Sequence, residues 1–316
     1  RQGNPAWAAQ ERDGLPPIRS DDKFYGAAAA DPRADWVDLT KVAIPQADEQ
    51  QRLLANLITH MNLARKPLPR FWYFPHGKKA VVVMTGDDHA HNGTEGRFNR
   101  FLAQSPAGCS VADWQCVRGT SYIYPHTPLS AAKALEFEAQ GFEIGLHVNT
   151  DCYDYSKAWL DGRYAAQIAE LQLRYPGLSA PATQRHHCIV YSDWTSGPEV
   201  QAKYGMRLDT NYYFWPPGWV GDVPGVFTGS AMPMRFARLD GSLLDVYQAA
   251  TQMTDESGQS YPYTVDTLLD RAVGPEGYYG AYVVNAHTDE AIITESETVV
   301  ASAWRAACRW SAPNSC

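Results

Sequence analysis

Two adjacent carboxylates and two imidazoles close an apolar run at residues 80–91, A-V-V-V-M-T-G-D-D-H-A-H. Carboxylate and imidazole are the side chains that hold divalent metals and carry protons in acid–base catalysis. A buried strand that stops on them places them at its C-terminal end. Asp87 and Asp88 are neighbours, so along a strand they point to different sides, and one can bind a cation while the other faces a substrate. A bare Gly-Asp-Asp turn would need neither the valine run before it nor His89 and His91 after it. Two later segments repeat the pattern: G-F-E-I-G-L ends in His147, and Y-V-V-N-A ends in His287. Three strand ends brought to one centre would form a metal-dependent hydrolase site.

The elements that must position these residues alternate in type. After Lys79 the pattern reads strand at 80–85, helix near 96–104, strand at 121–124, helix at 129–140 capped by Gly141, strand at 142–147 and helix near 163–175 stopped by Pro176. A strand near 183–187, a helix at 198–204, a strand at 206–209, apolar alternation through 243–248, a helix at 265–273, a strand at 278–286 and a last helix to Cys308 continue it. Repeated βα units predict a parallel sheet, open or closed into a barrel, with the site at the strands' C-terminal ends. Residues 1–45 carry Pro, Asp and Gly at close intervals and read as irregular. Leu53, Leu54, Leu57, Ile58 and Met61 predict an amphipathic packing helix over 47–66. The expected division is an N-terminal segment, 1–78, either wrapped on the surface or the remnant of an upstream domain, and a catalytic unit, 79–316.

The segment 211–229, N-Y-Y-F-W-P-P-G-W-V-G-D-V-P-G-V-F-T-G, has too much Pro and Gly for regular structure and too many rings for disorder. Its aromatic side chains, Tyr212, Trp215 and Trp219 among them, suit stacking on sugar faces; a local apolar cluster sealing the mouth of the site is the other reading.

With 316 residues of which 45% are hydrophobic, the chain can bury a large core. A net charge of −8 without a block of one sign argues against nucleic acid or an anionic membrane as partner, and no apolar run approaches a membrane span. The chain opens at Arg1 with no initiator Met and no signal peptide, which reads as a processed or truncated product. Six cysteines without a C-x-x-C pair point to disulfides in a secreted or periplasmic protein. The short spacings suggest Cys109–Cys116 and Cys308–Cys316, leaving Cys152 with Cys188. No G-x-S-x-G, H-E-x-x-H or P-loop motif occurs, which removes serine hydrolases, zincin proteases and nucleotide handling.

In order of motifs from about Lys79 to Cys308, the chain resembles the polysaccharide deacetylase (NodB-like) family of metal-dependent carbohydrate esterases, whose fold is a distorted (β/α) barrel. The T-G-D-D here stands for the family's T-F-D-D, with Gly86 in place of phenylalanine; the resemblance implies Asp87 as catalytic base and Asp88 as metal ligand. His147 in G-L-H-V-N-T-D matches the first histidine of the second motif. Where the family has a second, one helical turn on, this chain has Asp151. Arg185 in T-Q-R-H-H-C matches the arginine that steadies the base, and period-two alternation sets His187 on its face. Imidazole is the commoner zinc donor, so His187 is preferred over Asp151 as third ligand, giving Asp88, His147 and His187, with His186 facing away. His287 in N-A-H matches the family's general acid; Asp289 or Asp209 could orient a partner, and His89, His91 and His126 are spare imidazoles near the rim.

The function implied is zinc-dependent removal of N-acetyl, less readily O-acetyl, groups from a polysaccharide. Hydrolysis of a small non-polymeric amide and a catalytically silent carbohydrate-binding module are the alternatives.

Overall fold

The structure, a computed structural model, describes residues 18–19, 46–65, 74, 77–151, 156–188, 190–191, 195–212, 232–238, 240–256, 259–275 and 280–310. The valine run forms β2 (Ala80–Asp88), and around it the chain alternates as expected. In order come α2 (Gly93–Gln104), β3 (Gly119–Ile123), α3 (Ala131–Ala139), β4 (Glu143–Asn149), α4 (Lys157–Arg174), β5 (Thr183–His187), β6 (Val190–Tyr191), α5 (Ser196–Lys203) and β7 (Leu208–Asp209). Then follow β8 (Met234–Ala237), β9 (Leu243–Gln248), β10 (Thr251–Thr254), α6 (Tyr263–Val273), β11 (Gly280–Asn285) and α7 (Thr294–Trp310). Upstream lie β1 (Ile18–Arg19), paired antiparallel with β6, and α1 (Gln46–Met61). The third βα helix, α4, begins at Lys157, six residues before its expected start, because Ser156 caps it by accepting a hydrogen bond from the Trp159 amide.

One sheet runs β10-β11-β2-β3-β4-β5-β7-β9-β8, parallel from β10 to β9 with only β8 antiparallel. β9 and β10 stand far apart in this order, yet only Ala249 and Ala250 separate them in the chain. The sheet must therefore curl until the run 243–254 bridges its two ends: Ala249 still donates to the Asp209 carbonyl (2.8 Å), while Thr251 already registers with Val283 of β11. The fold is a distorted (β/α) barrel whose closing strand is broken in the middle.

The main core lies between this sheet and its helices, with Phe98 of α2 stacked on Phe142 at 4.3 Å and edge-on to Phe137 at 5.2 Å. A smaller core gathers Tyr212, Phe236, Leu244 and Val246. Gly86 is explained by this packing: a Cβ there would lie 2.3 Å from the Ala286 carbonyl and 2.6 Å from Thr288 Cγ2, so no side chain fits between β2 and the exit of β11. Cys109–Cys116 is bonded as expected and closes the α2–β3 loop. Cys188 is also disulfide-bonded; Cys152, Cys316 and the Cys308 side chain lie outside the described residues.

The helix expected to pack is present, but its apolar stripe is not covered. Leu53, Leu54 and Leu57 are half exposed or more and Met61 is 81% exposed, so these residues do not join the core of the barrel. No helix among the described residues is long and apolar enough to cross a membrane.

Candidate active site

The C-terminal ends of β2, β3, β4, β5, β10 and β11 deliver the titratable residues to one mouth of the barrel. Register explains which of them share it. Alternation along β2 sends Val83, Thr85 and Asp87 to one face and Val82, Met84 and Asp88 to the other, where Met84 and Val82 belong to the core under the helices. His89, just past the strand, follows Asp87. On β4 and β5 the pairs His147↔Arg185 and Asn149↔His187 align on one face.

Asp87 is buried. Its Oδ2 accepts from Asn285 Nδ2 at 3.0 Å and lies 3.8 Å from Arg185 Nη1, whereas Oδ1 has no hydrogen-bond partner and stands 3.8 Å from His147 Nδ1. Burial alone would raise its pKa, but His147, Arg185, His287 and His89 together hold it below the ordinary carboxylate value. Arg185, itself buried, has Nη2 donating to Thr251 at 2.8 Å and stands against the Asp87 carboxylate.

Asp88 is used differently from the metal-binding expectation. Its Oδ1 accepts from the amides of His91 (2.8 Å) and Asn92 (3.1 Å), and its Oδ2 from the Thr94 amide (3.2 Å) and hydroxyl (2.6 Å). Its carboxylate is taken up by the N-terminus of α2, whose own N-cap residue Asn92 makes no side-chain cap bond. Alternation along β2 points this carboxylate, which the resemblance gave to the cation, toward the helix layer and away from the face of Asp87.

Three imidazoles fill the mouth instead. The ring of His89 lies 5.2 Å from those of His147 and His187, which are 5.6 Å from each other. In each ring Nδ1 meets a group that can only accept: the Asp289 carboxylate for His89 (2.9 Å), the Arg185 carbonyl for His147 (3.0 Å) and the Asn149 amide oxygen for His187 (3.1 Å). In the neutral form of each ring Nδ1 therefore carries the proton and Nε2 keeps the lone pair. Burial lowers the His147 pKa to about 4 and depresses that of His187, which keeps both rings neutral at ordinary pH.

His287 contrasts with them. Its amide and Nδ1 both donate to Asp255, Nδ1 at 2.9 Å, and Nε2 stands 3.8 Å from Glu256. Burial works against its charge, but the hydrogen bond to Asp255 and the fields of Asp87, Asp255 and Glu256 outweigh it and raise its pKa to about 9. The ring stacks 5.4 Å from His89. Tyr124, past the end of β3, completes the enclosure at 5.5–5.7 Å from the rings of His89, His147 and His187; burial, then Asp87 and Asp289, raise its phenol to about 12.

Of the remaining candidates, Asp151 turns outward to an ion pair with Arg163 and does not join the imidazoles. His186 is buried, with Nε2 2.6 Å from the Tyr164 hydroxyl, and Asp209 is tied to Gln201 and Asn211. Tyr212, expected on a sugar platform, packs in the smaller core with 8% exposure and edge-on to Phe236, so its ring is not offered at the surface. Trp215 and Trp219 lie outside the described residues. The sequence reading left His89 as a spare, although its spacing of two from Asp87 was the available signal. Asn149, two residues after His147, carried the same signal, and Asp255 carried none.

The chemistry of this donor set suits a divalent transition metal. An ion about 2.0–2.1 Å from three imidazole nitrogens in tetrahedral geometry would space the ring centres by roughly 5 Å, which is the spacing of His89, His147 and His187. Each ring also has the outer acceptor on Nδ1 that metal-bound histidines use. No group of three His, Cys, Asp or Glu among the described residues is already at ligand distances, so the rings must turn to meet an ion.

No family model and no curated protein matches the chain. Among solved structures it is similar to a protein from Mycobacterium smegmatis assigned as a polysaccharide deacetylase, at 12% identity over 76% of this chain and 87% of that one, with a TM-score of 0.47. It is also similar to Bacillus subtilis PdaA, a family 4 carbohydrate esterase, at 9% identity over 82% of this chain and 84% of that one, with a TM-score of 0.41.

Proposed function

We propose that this chain is a hydrolase that removes acetyl groups from a polysaccharide, N-acetyl in preference to O-acetyl, with a divalent metal, zinc by the nature of the donors, held by His89, His147 and His187. The observation that carries the reading is the pairing of Asp87, a buried carboxylate with one unpartnered oxygen, with His287, a histidine kept protonated at neutral pH. A catalytic base and a catalytic acid with opposite environments at one mouth are what amide hydrolysis requires.

Asn285 and Arg185 hold Oδ2 of Asp87 and leave Oδ1 to take a proton from water. The water oxygen bonds to the acetyl carbon, the carbon–nitrogen bond breaks, and Nε2 of His287 gives its proton to the departing amine, with Asp255 stabilising the imidazolium. A zinc ion, when bound, supplies Lewis acidity toward the acetyl carbonyl and lowers the pKa of a bound water to about 7. Two disulfide-bonded cysteine sites suit an exported enzyme acting on a polymer outside the cytosol.

The test is metal content by mass spectrometry together with acetate release from a panel of N- and O-acetylated glycans. Stoichiometric metal with acetate from an N-acetylated polymer is expected. Metal without acetate from any glycan would shift the reading to small amides, and no metal uptake would leave a carbohydrate-binding module.

A further inference from the structure

Tyr124 is used by nothing in the scheme so far, yet it faces every part of it. Its ring sits 5.5 Å from His147, 5.6 Å from His89 and 5.7 Å from His187, and its other side stacks on His126 at 5.4 Å with 14° between the planes. The ring is thus clamped between the imidazole trio and an exposed residue of the rim. Its hydroxyl has no partner among the described residues and stands within the fields of Asp87 and Asp289. A partly buried tyrosine normally finds an acceptor for its hydroxyl, and one kept without an acceptor beside a carboxylate base points to an acceptor that arrives with substrate. Both oxygens of Asp289 are engaged by His89 and Oδ2 of Asp87 by Asn285, while Oδ1 of Asp87, which bonds to no described group, is the oxygen given to the attacking water; the Tyr124 hydroxyl bonds to neither carboxylate. A phenol is protonated at neutral pH and donates one well-directed hydrogen bond, the form needed where an acyl oxygen gains negative charge during attack.

We propose that Tyr124 is a catalytic residue whose hydroxyl donates to the acyl oxygen of the substrate as water adds to its carbon. This rests on the hydrolase reading above. It separates two proton-related tasks: His287 serves the leaving group, and Tyr124 serves the acyl oxygen, whatever the leaving group is.

Tyr124→Phe keeps the ring and its stack on His126 and removes only the hydroxyl. Kcat should fall on the order of 100-fold with KM within about twofold, by equal factors on an N-acetylated glycan and on an activated acetate ester, with metal content unchanged. Methylphosphonate, a tetrahedral mimic of the hydrated acetyl group, should bind the zinc-loaded Y124F protein correspondingly more weakly than wild type. Wild-type kcat in Y124F, with a raised KM only in Tyr124→Ala, would mean the ring merely stacks on sugar and would overturn the proposal. So would loss of metal in Y124F, which would place the hydroxyl in metal retention. If wild type releases no acetate from any substrate, the hydrolase reading fails separately, and equal methylphosphonate binding by wild type and Y124F still overturns the role given to Tyr124.

Discussion

His147, near the end of β4, and His287, just past β11, open on one mouth, yet their protonation is opposite, at about 4 and about 9. Both lose solvent on burial, which disfavours charge in each, and both feel Asp87. The difference lies behind the ring. His147 donates Nδ1 to a neutral backbone carbonyl, whereas His287 donates to a carboxylate, Asp255, which together with the fields of Asp87 and Glu256 outweighs the burial. Residue type and strand position are therefore not enough to assign a histidine a role; the outer partner of Nδ1 suits one to the metal-donor role proposed for it and the other to that of an acid.

Asp87 is the charge both rings share, so replacing it breaks the comparison most. Asp87→Asn should retain metal and fold while turnover drops by about 10²–10⁴-fold, since the amide cannot take a proton. Kinetics beside metal analysis reads this, and full activity would remove Asp87 as base.

The next largest contrast separates His89 from Asp88. His89→Ala should lose metal and activity together, as should His147→Ala. Asp88→Ala should bind metal normally but lose about 2–4 kcal/mol of stability, because four hydrogen-bond donors at the start of α2 are left without an acceptor. Isothermal titration with zinc and urea unfolding distinguish them; metal loss in the Asp88 variant alone would restore it as a ligand.

Asp255→Asn turns the environment of His287 toward that of His147. With the carboxylate gone, burial dominates and the acid's pKa should fall from about 9 toward its ordinary 6.5 or below, drawing the alkaline limb of the pH–rate profile down with it. The loss should be smaller for an activated ester than for an amide. The same linkage has a stability sign. Folding raises the His287 pKa, so its contribution is complete below pH 6.5 and is lost as pH climbs through about 9. An unmoved alkaline limb in the variant would detach it from His287.

An effect on stability alone, with none on turnover, concerns His186, whose pKa burial lowers to about 3. Folded protein resists its protonation, so stability should fall as pH drops from 6.5 toward 3, by up to about 1.4 kcal/mol per unit from this one ring. His186→Gln should flatten that acid slope in melting experiments; an unchanged slope would assign it to other groups such as His147.

Several features were open to reading from the chain. Apolar runs bounded by turn residues marked β2, β4 and β11, and helical spacing marked the helices between them, because a buried strand and an amphipathic helix each leave a local signature in the chain. β10 left none: four buried residues, T-Q-M-T, carry no alternation, and Asp255 after them meets His287 only because β10 and β11 pair in parallel. The aromatic residue Tyr212 illustrates the reverse, a ring whose type suited a surface platform and whose neighbours Phe236 and Leu244, more than twenty residues on in the sequence, bury it.

By itself the sequence determined which side chains could do chemistry and that strand ends would hold them, since residue type and period are local properties of the chain. It also determined that Asp87 and Asp88 must part company, for alternation allows nothing else. Which of the two would meet the imidazoles, that α2 would claim the other, and that His89 would stand with His147 and His187 were decided only when β2 settled between β3 and β11. Proton affinity was decided there as well. The pKa of a histidine depends on the charge a few ångströms from its far nitrogen, and the residue that supplies it, Asp255 for His287, lies 32 positions away in the chain.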